Sequence, residues 1–338
     1  MHMADALITP LVGGAMYIAA AKVGTDSINK IKDDMDETKV PMMGVMGAFV
    51  FAVQMINFTI PGTGSSGHLG GGMLLAAVLG PYAGFLTMAA VLIIQALFFA
   101  DGGLLALGCN IFNLGFYTCF IAYPLIYKRV LKKGCSTVRI TWAAMLASIV
   151  GLQLGAFSVV VQTMLSGKLE LPFTSFLLMM QSIHLAIGIV EGMITAAVIS
   201  FIWKARPELV ESAGAAEPGG SKSSLKRILL PLLIATLLIG GILSWYASGN
   251  PDGLEWSLYN STGQEELEQT GELHKKLSDI QNKLAILPDY SFKAGIEAPE
   301  QAGTSTSGIV GSVITLLLTV SVGIIIKAFT RKTAKNNT

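Results

Sequence analysis

A free amine followed directly by a histidine is a chelator. At Met1-His2 the amine, the next backbone nitrogen and the imidazole close on one metal ion as fused five- and six-membered rings. Three nitrogens then lie in a plane with a fourth corner open, the geometry preferred by Ni(II) and Cu(II), whereas Zn(II) prefers a tetrahedron. Chain termini are ordinarily frayed, so the pair gains meaning only beside a further ligand. Four histidines are present, His2, His68, His184 and His274. His68 stands in a loop with six glycines in twelve residues, Pro61-Gly-Thr-Gly-Ser-Ser-Gly-His68-Leu-Gly-Gly-Gly72, and its imidazole can complete the plane begun at Met1. The competing reading is a loop histidine that holds only the loop's shape.

Other ionisable residues fall in apolar surroundings, where they are costly and mark function by default. His184 and Glu191 are seven apart on one predicted helix, hence on the same face. They either support the metal site from behind or pair structurally between helices, and pairing is preferred. Asp5, near the chelate in sequence, is expected to orient His2. Asp101 is expected to close the turn at Asp101-Gly-Gly103, and His274, among acidic residues, to be solvated. Ser66, two residues before His68, is a further candidate support. Gly64-Ser65-Ser66-Gly67 also matches the short G-x-S-G pattern of intramembrane serine proteases, with Ser66 as nucleophile and His184 as base. That enzyme reading leaves Met1-His2 unexplained.

The elements that must position these residues are membrane helices. Hydrophobic residues make up 52% of the 338 and charged ones 13%, which excludes an ordinary soluble domain. Uncharged runs at 41–60, 69–100, 102–127, 140–167, 228–251 and 303–326 mostly reach the ~20 residues a helix needs to cross an apolar core. A net charge of +1 without a basic groove gives no sign of nucleic acid. Three scattered cysteines indicate no disulfide framework.

The glycine-rich stretch reads as a loop dipping into the membrane, where irregular backbone is tolerated only inside protein or along a cavity. A short helix before Pro81 then completes the crossing. Lysine and arginine cluster at 22–39, 128–139, 204–227 and 327–335, which hold 18 of the 23. These loops share the cytoplasmic side only if 69–100 is split into a short and a full helix. The expectation is an all-α polytopic membrane protein of about nine spans, seven in residues 1–205 and two in 226–338. The N-terminus is then outside and the C-terminus inside, with a linker at 206–225. An outer segment at 248–308 carries ten acidic residues and four lysines. In it Leu267, Leu273, Leu277, Ile280 and Leu284 mark one face of an outer helix. The start lacks the cationic region of a cleavable signal peptide, and a bulky second residue disfavours removal of Met1.

Met1-His2-Met-Ala-Asp-Ala, Ser66-Gly-His68-Leu-Gly-Gly, Phe99-Ala-Asp-Gly-Gly-Leu-Leu-Ala-Leu-Gly-Cys-Asn110 and His184-Leu-Ala-Ile-Gly-Ile-Val-Glu-Gly192 together resemble the substrate-binding membrane component of cobalt/nickel energy-coupling factor transporters. The resemblance covers about residues 1–205. Pro251-Asp-Gly-Leu-Glu-Trp256 resembles the small two-span accessory component of the same systems, so the chain looks like a fusion of the two. The resemblance implies a metal held by the amine of Met1, the amide and imidazole of His2, and His68. The Ser-Gly-His-Leu loop and Phe-Ala-Asp-Gly-Gly look more like the nickel branch; cobalt relatives tend to carry a Ser-His-Pro loop. Ni(II), with Co(II) as the alternative, would be transported substrate rather than cofactor. No Gly-x-x-x-x-Gly-Lys-Ser/Thr loop occurs in the sequence. ATPase subunits and a coupling membrane subunit are therefore the implied partners in the cell membrane, and a carrier or channel acting alone is a third reading.

Overall fold

The computed structural model describes residues 2–32, 35, 38–167, 172–211, 225–263, 271–293, 295 and 298–336. Met1, Leu267, Lys168 and the centre of the 206–225 linker lie outside them. In chain order the principal helices are α1 (Pro10–Ile31), α2 (Lys39–Gln54), α3 (Gly72–Leu79), α4 (Pro81–Phe98), α5 (Leu107–Leu131) and α6 (Thr137–Ser166). They continue with α7 (Phe173–Ala205), α8 (Lys226–Gly241), α9 (Gly253–Thr262), α10 (Glu272–Leu284) and α11 (Glu300–Asn336). Among the described residues five helices are long and apolar enough to cross a membrane: α4, α5, α6, α7 and the Gln301–Phe329 part of α11. The remaining predicted spans fall on helices that are shorter or carry more charge, so the count of nine is a proposal tested below.

The glycine-rich loop is not wholly irregular. It carries a small antiparallel hairpin, β1 (Phe58–Ile60) against β2 (Ser65–Gly67), with Thr59 opposite Ser66. The hairpin has a physical reason within the all-α membrane fold: backbone placed inside the protein must find its hydrogen bonds there, and a hairpin supplies them. After it α3, eight fully buried residues, runs only ~12 Å at 1.5 Å per residue. Gly80 and Pro81 then break the helix, and α4 folds back against α3. The break falls where charge parity requires it.

The described ends of the basic loops come together at one end of the bundle. Thr38, Lys39, Gly80, Lys128 and Leu209 line a single cavity of about 540 Å³ there. At α11 Gly323 lies against Val40, which brings the fourth basic stretch to the same end. His2, His68 and Asp101 line a different cavity.

The accessory helices are not an appendage. α8 and α11 both pack on α2, which is buried along almost its whole length. The two cross at Gly240 and Gly308, where a Cβ on Gly308 would stand 2.1 Å from the Gly240 carbonyl oxygen. Such close backbone approach is the usual means of joining helices where lipid offers no hydrophobic drive.

Candidate metal site

The start of the chain is built into the bundle. Met3 is fully buried, and its amide donates to Asn110 Oδ1 at 2.8 Å while its carbonyl accepts from Asn110 Nδ2 at 3.2 Å and from the Gly103 amide at 2.9 Å. Asp5 accepts from the Ala106 amide at 3.0 Å. All three partners, Asn110, Gly103 and Ala106, come from the Phe99–Asn110 stretch, which thus forms a cradle for the first residues. Gly103 is required in it, since a Cβ there would meet the Asp5 carboxylate at 1.9 Å.

This arrangement puts His2 beside His68. The two imidazoles stack with centroids 4.8 Å apart and planes 14° from parallel. Nδ1 of His2 lies 2.8 Å from Asp101 Oδ1 and donates to it. Nε2 is buried and has no hydrogen-bond partner among the described residues. At His68 Nδ1 lies 3.2 Å from the Leu69 carbonyl. Burial pushes the His68 imidazole down to about 3; it is a neutral donor of lone-pair electrons through the neutral range. Burial works against ionisation of Asp101, but His2 and the hydroxyl of Tyr290, which donates to Oδ2, outweigh it and hold that carboxyl well below the usual carboxylate range. Among the described residues no group of three or more His, Cys, Asp or Glu side chains is arranged to hold a metal.

Several expectations change here. Asp5 does not orient His2: its carboxylate is engaged by the α5 entry, and Asp101 takes that role. His184 and Glu191 share a face but do not pair. Nδ1 of His184 bonds its own helix at the Met180 carbonyl, 2.7 Å away, leaving Nε2 buried and without a partner among the described residues. Glu191 Oε2 instead accepts from the Gly70 amide at 2.7 Å, two residues beyond His68. Gln54 grips the same glycine through its carbonyl, 2.7 Å, and receives a 2.9 Å bond from Gln95. The His68 loop is thus fixed from α7 on one side and from α2 and α4 on the other. Ser66 is no nucleophile: Oγ donates to the Asn250 carbonyl at 2.8 Å and its amide to Pro251 at 2.8 Å, and it shares no hydrogen bond with His184.

The Asn250–Pro251 carbonyls open the 248–308 segment, whose Asp252, Leu254 and Glu255 line the same cavity as His2 and His68. Asp252 and Glu255 form a reciprocal capping box that starts α9. His274 is not solvated but 2% exposed, with Nε2 2.9 Å from the Ile8 carbonyl. α10 packs through His274, Leu277 and Gln281; of the expected apolar face Leu277 packs inward, while Leu273, Ile280 and Leu284 are exposed. The reason lies beneath: the end of α4 offers carbonyls without intrahelical partners. Gln281 donates to Ala96, and the Ile286 and Leu287 amides donate to Phe98. His2, His68, Asp101, Asp252, Glu255 and Tyr290 line one cavity of about 500 Å³.

Residues 2–209 match the family described as the cobalt uptake substrate-specific transmembrane region, and residues 226–328 match the PDGLE domain. The chain is similar to a putative fused nickel transport protein of Archaeoglobus fulgidus, 33% identical over 94% of this chain and 96% of that one. A putative metal transport protein of Haloquadratum walsbyi is 34% identical over 62% of this chain and 93% of its own. The crystal structure of a truncated transition metal transporter, 31% identical, superposes with a TM-score of 0.54 over 60% of this chain and 99% of that one.

Proposed function

We propose, from the premise that the chain belongs to the cobalt-uptake substrate-specific transmembrane family and carries a PDGLE domain behind it, that it is the metal-binding component of an ATP-driven importer whose substrate is Ni(II). Membership of that family makes it a multi-pass membrane transport component and not an enzyme. The finer reading rests chiefly on one observation, the stacking of a buried His2 on a buried His68 at a chain start locked into the bundle. The proposed ligands are the Met1 amine, the His2 amide and imidazole, and His68. A six-membered chelate ring uses Nδ1 of His2, the nitrogen that now faces Asp101. A half-turn of the imidazole about Cβ–Cγ presents Nδ1 to the metal and swings Nε2 toward the carboxylate. There Nε2–H takes up the orienting bond typical of metal-bound histidine. Loading releases the amide proton, so it is coupled to proton loss.

Uphill movement requires ATPase subunits and a coupling membrane subunit, because the chain has no phosphate-binding loop of its own. The Gly-His-Leu loop and four nitrogens favour nickel over cobalt. Metal content and visible spectrum after exposure of purified protein to Ni, Co, Cu and Zn salts test this. One equivalent of nickel with a planar nickel–nitrogen band is expected. Retention of cobalt alone would move the substrate to cobalt, and retention of none would remove the metal-binding role.

The basic loops are assigned to the cytoplasmic side, which places the N-terminus and the His2–His68 cavity outside. With Cys135 replaced by serine, and Cys109 and Cys119 buried, single cysteines at Lys30 and Lys132 should react with an impermeant maleimide only in inverted vesicles. Labelling of the two from opposite faces would refute the nine-span topology.

A further inference from the structure

Among the described residues three that are not glycine have left-handed backbone: Ala100 (φ 55°), Asp289 (φ 48°) and Tyr290 (φ 57°). The conformation is uncommon for residues with a side chain, and its clustering is a pointer to function. All three stand on two loops that meet at one carboxylate. Ala100 immediately precedes Asp101. Asp289 and Tyr290 come from the accessory half, more than 180 residues later in the chain.

The accessory loop is held there firmly. The Ile286 amide donates to the Phe98 carbonyl at 3.0 Å and the Asp289 amide to the Phe99 carbonyl at 2.8 Å. The Tyr290 ring stacks on Phe99, with centroids 5.1 Å apart and planes 18° from parallel, and meets Phe51 edge-on at 6.4 Å. Its hydroxyl is thereby delivered to Asp101 Oδ2, while Oδ1 of the same carboxylate holds His2. Burial, with Asp101 alongside, raises the phenol well above its ordinary range, so it stays a donor. A carboxylate fixed at both oxygens cannot swing away from the imidazole it orients.

We infer that Tyr290 is a positioning residue for metal binding: through Asp101 it sets the His2 ring, so the accessory half tunes a site whose proposed ligands all lie in the other half. The inference rests on the reading of His2 as a ligand. It also assigns the PDGLE part a task beyond covering the cavity, since a cover needs neither a strained loop nor a hydroxyl aimed at the carboxylate behind His2.

The test uses the full chain and nickel itself, measured by competition with a chromophoric chelator. Tyr290→Phe keeps the ring stack and loses only the hydroxyl. It should weaken nickel binding about 10-fold, the lower end for groups that act behind a ligand, with unchanged thermal unfolding of the metal-free protein. His274→Ala, which cuts another bond between the halves at Ile8, should stay within about 2-fold of the parent. In an Asp101→Asn background the Tyr290→Phe change should add nothing, the non-additivity expected of one chain of contacts. Native affinity in Tyr290→Phe, an equal loss in His274→Ala, or an additive effect on top of Asp101→Asn would each overturn the inference. His2→Ala is titrated in the same series. Native affinity there overturns the ligand reading and this inference with it, whereas lost binding in His2→Ala beside native affinity in Tyr290→Phe overturns this inference alone.

Discussion

Replacing His68 by alanine is expected to abolish tight nickel binding while the chain stays folded. The imidazole is buried, neutral and stacked on His2, so the change removes a nitrogen donor from the proposed plane. What it leaves intact is equally specific. Gly70 remains held by Gln54 and Glu191, and Ser66 by the Asn250–Pro251 carbonyls. None of these bonds uses the His68 ring. The loss should exceed the 10–100-fold that follows removal of groups behind a metal ligand. His184→Ala supplies the comparison. That ring bonds its own helix at Met180 and packs near Gly253, so its removal should cost about 10-fold at most. Equilibrium titration of both folded variants decides the roles: native affinity in His68→Ala would take His68 out of the ligand set, and greater damage from His184→Ala would reverse the assignment.

The helical spans are legible in the sequence because apolar runs of membrane length need no tertiary information. The break at Gly80-Pro81 is legible for a different reason, since only a divided 69–100 lets the basic loops share one side. The pair His2 and His68 is also readable, from chelate chemistry and a glycine loop. Their supports are not. Asp5 is close to His2 in sequence, yet Asp101 holds the ring, because residues 99–110 return beneath the chain start. The faint signal for that return is Gly102-Gly103, two adjacent residues without side chains where another segment must pass closely.

The accessory half shows the same limit. Asp252-Gly-Leu-Glu255 carries the spacing of a capping box, a local device readable without a fold. The orientation of α10 is not local. Its leucines and isoleucines mark one face of a helix without saying which way it points, and carbonyls at the end of α4 require donors. Gln281 supplies one there and His274 another at Ile8, so the polar face turns inward. A hydrophobic pattern ranks faces by their own composition and carries no account of what the opposing surface demands.

Adding one residue before Met1 is expected to end nickel binding although no side chain is lost. The proposed chelate uses the amine of Met1 and the amide nitrogen of His2, atoms that side-chain substitution does not reach. Extension turns that amine into an amide and shifts the fused rings by one residue. It also thrusts an extra residue into a crowded place. His2 lies with a side chain 6% exposed against Asp101, and Met3 is pinned at both backbone groups by Asn110 and Gly103. The pins should persist, because neither involves Met1, so the extended protein is expected to fold and to keep its thermal transition. Retained formylation or acetylation should act in the same way as the extension, while a tag after Thr338 should leave affinity unchanged. The measurement is a nickel titration of native, extended and C-terminally tagged protein, with the intact mass of each chain determined beforehand to establish what precedes His2. A folded, extended chain that binds nickel as tightly as the native one would remove the terminal amine from the site and leave His2 and His68 to be explained by another geometry.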